Sequence, residues 1–202
     1  MKRVILDLCG GTGGWSRPYA EDGNYDVYVI DPQAWDEDGG DSVANRLNTT
    51  CIFNDVRELH YDHLIQPVHG ILCAPPCTVF ANAGARWPRT TEAMQEGISI
   101  MDACLRIVNI CKPEFWALEN PVGKMKRYLG PPVMYFNPCD YGDPYTKKTC
   151  LWGEFTKPKM SPVPATEGSK MHLNYGGRSA RTKRARSATP QGFANAFFKA
   201  NR

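Results

Sequence analysis

Cys77 stands in the run Ala74-Pro75-Pro76-Cys77-Thr78, directly after the apolar stretch Gly70-Ile71-Leu72-Cys73. Two prolines stiffen the backbone ahead of it and so aim the thiol. A nucleophilic cysteine needs a partly exposed site that favours thiolate. Glu119-Asn120-Pro121 closes another apolar stretch, Phe115–Leu118. A carboxylic acid beside a nucleophile can donate a proton when burial raises its pKa. Taken singly, each also fits a plain structural part, a loop cysteine and a strand-end glutamate. The third feature is Asp7-Leu8-Cys9-Gly10-Gly11-Thr12-Gly13-Gly14-Trp15. Its glycines let backbone approach a ligand closely, but it is neither the dinucleotide Gly-x-Gly-x-x-Gly nor a P-loop. Asp31, closing a later apolar run, suits ribose hydroxyls, and Asp55, closing the next, suits an exocyclic amine. The set predicts a nucleoside-containing cofactor without a demanding phosphate site, S-adenosylmethionine. The predicted contacts are Asp7, Gly11, Thr12, Gly13, Gly14, Trp15, Asp31, Asp55 and Pro75. The competing reading is a tight turn followed by two helix-capping aspartates.

The elements that must hold these groups are legible as apolar runs, each stopped by a polar or turn residue. They are Val4–Leu8, Tyr25–Ile30, Cys51–Phe53, Gly70–Cys73 and Phe115–Leu118. Such runs are the pattern of buried parallel strands. Between the last two, Met94, Ile98, Met101, Leu105 and Val108 recur at helical spacing and predict an amphipathic helix over about residues 91–112. The series predicts a doubly wound α/β sheet in a three-layer α/β/α arrangement. Ligands bind such sheets at the carboxyl ends of the strands, where Asp7, Asp31, Asp55, Pro75–Cys77 and Glu119 all fall. Thr149–Trp152 reads as one more strand, residues 156–188 as loop, and Thr189-Pro190 as the cap of a closing helix that packs Phe193, Ala196 and Phe197.

The chain has 202 residues, enough for one domain, with 42% apolar and 22% charged residues. That balance excludes disordered, collagen-like and coiled-coil chains. No apolar run reaches membrane-spanning length, and Asp7 interrupts the first one too early for a signal peptide. The eight cysteines form no Cys-x-x-Cys and have no zinc-like spacing, so no metal is expected. Free thiols in a reducing cytoplasm are expected instead. The net charge of +3 hides an asymmetry. Residues 1–100 carry 7 basic and 14 acidic side chains, whereas residues 101–202 carry 17 and 7. The basic half includes Arg178, Arg181, Lys183, Arg184 and Arg186 within nine residues free of acid, a run suited to phosphates or to plain solvation.

In this order the motifs resemble those of the DNA cytosine-5 methyltransferases. Asp7–Gly14 resembles the family's Asp-x-Phe-x-Gly-x-Gly-Gly, with Cys9 in the phenylalanine place, and Asp31 and Asp55 match its next two acidic positions. Pro75-Pro76-Cys77 resembles its Pro-Cys nucleophile motif and Glu119-Asn120-Pro121 its Glu-Asn-Val/Pro motif. Tyr141–Thr149 is similar to its Tyr-Gly-x-Pro-Gln-x-Arg-x-Arg stretch and Arg186–Pro190 to its Arg-x-Leu-Thr-Pro stretch. The resemblance implies a Rossmann-like S-adenosylmethionine-dependent methyltransferase in a bacterial cytoplasm, with catalytic Cys77, Glu119, Asn120 and Lys147. Cys77 would attack C6 of a cytosine flipped out of DNA, Glu119 would hold N3 and the exocyclic amine, and methyl would pass to C5. Arg86, in the loop after the nucleophile, would lie near phosphate or base. The pattern departs at Lys147 and Thr149, which stand for the arginine pair, and at Tyr145 and Thr78, which stand for glutamines. The base-reading region that the family inserts before Arg186 is reduced to about residues 156–185. That implies a compact, bacteriophage-like member with short or relaxed specificity. Its catalytic part is 1–155, its short basic loop 156–188 and its closing helix 189–202. RNA or a free cytidine nucleotide as acceptor, and a non-catalytic nucleic-acid-binding module, are the alternatives.

Overall fold

The computed structural model describes residues 1–33, 46–60, 67–82, 88–170 and 180–202. The apolar runs become strands β1 (Arg3–Leu8), β2 (Tyr25–Ile30), β3 (Thr49–Ile52), β4 (Val68–Cys73), β5 (Phe115–Pro121) and β7 (Thr149–Glu154), and a strand the sequence reading missed, β6 (Met134–Phe136), precedes β7. The helices are α1 (Arg17–Asp22), α2 (Thr91–Cys111), α3 (Lys126–Leu129), α4 (Ala180–Ser187) and α5 (Gln191–Ala200). One sheet runs in the order β3-β2-β1-β4-β5-β7-β6. Strands β1 to β5 are parallel, while β7 runs antiparallel to both β5 and β6.

Strand periodicity divides the core into two layers. Val4, Leu6 and Leu8 of β1 face Met101, Cys104 and Ile107 of α2. Ile5, on the other face, packs in a cluster with Tyr19 of α1 and with Phe193 and Phe197 of α5. The second layer is rich in rings: Phe136 stacks on Phe193 with centroids 3.9 Å apart, and Trp15 meets Phe197 edge-on at 5.3 Å. Aromatic pairs of this kind contribute about 0.5–1.5 kcal/mol each beyond burial. The three-layer α/β/α expectation holds, and all eight cysteines are free thiols. No helix among the described residues is long and apolar enough to cross a membrane.

Several local expectations need correction. Strand β5 does not stop at Leu118; it continues through Glu119, Asn120 and Pro121, which pair with Leu151, Cys150 and Thr149 of β7. An antiparallel partner beyond β5 carries the ladder three residues past the apolar run. The buried face of α2 contains Gly97, Met101, Ala103, Cys104, Ile107, Val108 and Cys111, whereas Met94, Ile98 and Leu105 are only half-buried. Counting bulky residues missed the small ones that let the helix sit close to its neighbours. Residues 180–187 of the basic run form a helix, where the sequence predicts loop. The closing helix starts one residue later than expected, with no cap from Thr189. The Asp143 carboxylate accepts from the Gly192 N–H at 2.9 Å instead, a cap supplied from across the chain.

Candidate active site

The chain leaves β1 toward β2 on one side and returns to β4 on the other, so a crevice opens beyond the carboxyl ends of β1 and β4. Backbone bonds stitch its walls together. Cys9 N–H donates to Ile30 O at 2.8 Å, Asp31 N–H to Ile52 O at 3.2 Å, and Ala74 N–H to Leu8 O at 2.9 Å. The glycine loop after β1 and the cysteine loop after β4 thereby share one rim.

Two glycines of the first loop adopt left-handed backbone, Gly11 at φ 52° and Gly13 at φ 61°. Such angles favour a residue without Cβ. Gly11 donates its N–H to Asp31 Oδ2 at 3.0 Å, and the other oxygen of Asp31 accepts from Gln33 N–H at 2.7 Å. Asp7 works from beneath, only 1% exposed. Its Oδ2 accepts from Ser16 Oγ at 2.5 Å, while its Oδ1 is buried without a hydrogen-bond partner. Burial pushes its pKa up to about 7 against the Ser16 hydrogen bond. Gly10, absent from the sequence-derived set, is required here: a Cβ would stand 2.5 Å from the Asp7 carboxyl carbon. Gly14 would meet nothing nearer than Thr12 Oγ1 at 3.6 Å, so sterics alone do not demand it. Arg46 clamps the loop from outside, its Nη1 donating to the carbonyls of Thr12 at 2.8 Å and Gly13 at 3.3 Å. No local motif announces that residue, because its contact lies more than thirty residues away.

Two expected cofactor contacts are otherwise engaged. The Trp15 ring is 2% exposed and packs against Phe193 and Phe197 of the core. Asp55 caps the turn at Val56–Glu58 and is gripped by Arg57 through Nε at 2.9 Å and Nη2 at 2.6 Å. The Arg57 guanidinium holds its pKa below the usual carboxylate range. Arg57 also reaches Glu96 of α2 at 2.7 Å, which ties this rim to the helix.

At the reactive end, Pro75 is buried and Cys77 partly exposed. Asn120 is fully buried, and its Nδ2 donates to Pro75 O at 3.0 Å. Pro75 and Asn120 thus bond to each other, which ties β5 to the Cys77 loop. The Cys77 carbonyl accepts from Phe80 N–H at 3.0 Å and Ala81 N–H at 2.8 Å, closing the turn. Beyond it, Lys124 N–H donates to Phe80 O at 2.7 Å. Gly123 permits this approach, since a Cβ there would lie 1.9 Å from that oxygen. Gly97 of α2 makes similar room for Val79, whose Cγ2 would be 2.4 Å from an added Cβ. A helix-interior glycine costs about 1 kcal/mol against alanine, and the Cys77 loop is what it accommodates.

Four ionisable groups act on one another here. Burial pushes the Cys77 thiol pKa up and the Glu119 carboxylate adds to the rise, while Lys147 and Arg186 pull it back. Burial likewise raises Glu119, opposed by Lys147 and the Thr149 hydroxyl. Glu119 and Cys77 thus oppose each other's ionisation, and Lys147 offsets part of the effect on both. Lys147 Nζ lies 3.5 Å from Ala188 O, and Gly14 lies under Thr189, so residues 186–189 border both ends of the crevice. Arg186 is exposed. Arg86 and Arg178 lie outside the described residues; Arg181, Lys183 and Arg184 fall on α4, with side chains outside the description. Among the described residues no His, Cys, Asp and Glu cluster could hold a metal ion.

No family model matches the chain. A solved structure of a protein assigned as a DNA modification methyltransferase encoded within a prophage (E. coli) superposes with a TM-score of 0.55 at 20% identity, over 81% of this chain and 53% of that one. At that identity the likeness shows the fold, a Rossmann-like α/β sheet shared with that methyltransferase. In sequence, the chain is 25% identical over 166 residues to the type II methyltransferase M.DdeI of Desulfomicrobium norvegicum, across 71% of this chain and 38% of that protein. The chain thus spans well under half the length of that methyltransferase.

Proposed function

We propose that this chain is a methyltransferase that modifies cytosine at C5 in DNA, with S-adenosylmethionine as donor and Cys77 as transient covalent nucleophile. The residues present fit the donor. Left-handed Gly11 and Gly13 form a cradle free of Cβ atoms, and Gly11 has nothing but Asp31 Oδ2, at 4.0 Å, within reach of an added Cβ. Asp31 would hold the ribose and the Asp55 edge the adenine end. The bound donor supplies an electrophilic methyl on its sulfonium.

The reading is carried by the pairing of half-buried Glu119 with Cys77 on a loop tied down by Asn120. Cytosine C5 is a poor nucleophile until C6 is attacked. The Cys77 thiolate forms a bond to C6, and the C5=C6 electron pair becomes available at C5. Protonated Glu119 hydrogen-bonds N3, dispersing the charge, and accepts from the exocyclic amine. Lys147 would donate to the base O2, as a point donor and not as a fork. Once C5 carries the methyl, loss of its proton to a base restores C5=C6 and expels the Cys77 thiolate. Residues 1–155 and 189–202 would form the catalytic unit. The stretch between β7 and α4, with the basic α4, would face the nucleic acid and position phosphates without reading much sequence.

The test is incubation with methyl-labelled donor and, separately, duplex DNA, RNA and dCMP, followed by nucleoside analysis. The reading expects 5-methylcytosine from DNA and none with Cys77→Ser. Methyl on a cytosine or adenine exocyclic amine, or transfer unaffected by Cys77→Ser, would refute it. Turnover of dCMP or RNA alone would retain the chemistry and change the acceptor.

A further inference from the structure

A second surface adjoins the nucleophile loop, on the α2 side of the sheet edge formed by β5, β7 and β6. From Asn120 to Cys139 the chain contains no acidic residue, yet it carries Lys124, Lys126 and Arg127. Tyr128 and Tyr135 are exposed at 46% and 45%, and Lys126, Arg127 and Lys148 are exposed too. Tyr135 pairs with Cys150, whose side chain belongs to the α2-side core, so Tyr135 stands on that face. Lys148 Nζ lies 5.4 Å from the centre of its ring. Tyr128 meets Phe80 edge-on at 5.9 Å, three residues after the nucleophile, and Lys124 N–H binds the Phe80 carbonyl. Trp152 Nε1 donates to Gly130 O at 3.0 Å and anchors the turn that links α3 to β6. Cations and rings are thus held on a braced scaffold continuous with the Cys77 loop.

Alternating cations and exposed rings match the chemistry of a nucleic-acid strand, whose phosphates need positive charge and whose bases offer π faces to any aromatic. We infer that Lys124, Lys126, Arg127 and Lys148, with Tyr128 and Tyr135, form a platform for a polynucleotide strand flanking the target base, separate from the basic run on α4. The phosphates lie along the cations, and an unstacked base adjoining the target rests on a tyrosine. The platform rests on the nucleic-acid acceptor proposed above, but it is read by binding and not by transfer.

The experiment is fluorescence anisotropy of labelled duplex and single-stranded oligonucleotides across a salt series. It uses the full chain, Lys126→Gln/Arg127→Gln, and Tyr128→Leu/Tyr135→Leu, with urea unfolding to verify each fold. The charge variant should reduce the slope of log Kd against log salt by about 1 to 2. The tyrosine variant should leave the slope alone and weaken single-strand binding by about five-fold or more. Unchanged slopes and affinities would overturn the platform, even if methyl transfer is intact. Equal binding of polyglutamate-displaceable acidic polymers, with the tyrosine variant indifferent, would overturn it too, as a mere charge effect. Altered slopes in a protein that transfers no methyl would support the platform and count only against the transfer reading.

Discussion

Replacing Asp7 with asparagine should make the protein more stable at neutral pH, and the gain should vanish in acid. The substitution keeps the shape and an acceptor for Ser16 Oγ, but it removes a carboxyl that can ionise. Burial holds the folded pKa at about 7, against 3.8 for an unburied aspartate. Below about pH 4 the group is protonated in the folded and unfolded chains, and its ionisation costs nothing. Between about 4 and 7 the unfolded chain releases the proton while the folded chain keeps it, so the folded state loses ground steadily. Above about 7 both are ionised and the deficit is constant. A gap of about 3 units at about 1.4 kcal/mol each sets a ceiling of about 4 kcal/mol. Against that, the asparagine amide at the unpartnered Oδ1 position becomes a buried donor without an acceptor, at about 1–3 kcal/mol. The net expectation is a variant about 1–3 kcal/mol more stable at pH 7.5 and slightly less stable at pH 4.5. Urea unfolding of both proteins at the two pH values measures it. Parallel stability curves for wild type and Asp7→Asn would refute the reasoning, because a carboxyl that titrates normally has no such window.

Asn120→Ala leaves the buried Pro75 carbonyl unpaired and should cost about 1–3 kcal/mol in urea unfolding, while donor affinity by calorimetry stays within about two-fold. Glu119→Gln removes the charge that opposes the thiolate, so alkylation of Cys77 by iodoacetamide should shift to lower pH while methyl transfer falls by about a hundred-fold or more. An unshifted alkylation profile would separate the two groups. Gly97→Ala sets a Cβ 2.4 Å from Val79 Cγ2 and should destabilise by about 1–3 kcal/mol despite better helix propensity; a stabilised variant would mean the loop packs elsewhere.

The strands of the parallel sheet were legible because buried runs such as Tyr25–Ile30 carry their pattern in the chain itself. The groups that brace them were not. Arg46 on the glycine-loop carbonyls, Asp143 at the start of α5 and Asn120 on Pro75 join segments 34, 49 and 45 residues apart, and no window of sequence contains both partners. The core packing of Trp15 was hidden for a related reason. A large ring beside a glycine loop suits a ligand wall as well as a core, and its packing against Phe193 and Phe197 exists only once α5 folds back. Gly10 and Gly97 were passed over because a glycine's necessity lies in the neighbour it would strike, Asp7 in one case and Val79 in the other.

The central claim is covalent catalysis by Cys77, and the most direct measurement is trapping on a duplex that carries 5-fluorocytosine, in the presence of S-adenosylmethionine. Fluorine at C5 cannot leave as a proton does, so an enzyme that attacks C6 remains bonded to the DNA. The account predicts a denaturant-resistant complex that depends on the donor, is lost in Cys77→Ser, and is mapped to the peptide containing Cys77. A protein that methylates the same DNA without forming that complex, or forms it through another residue, would contradict the account.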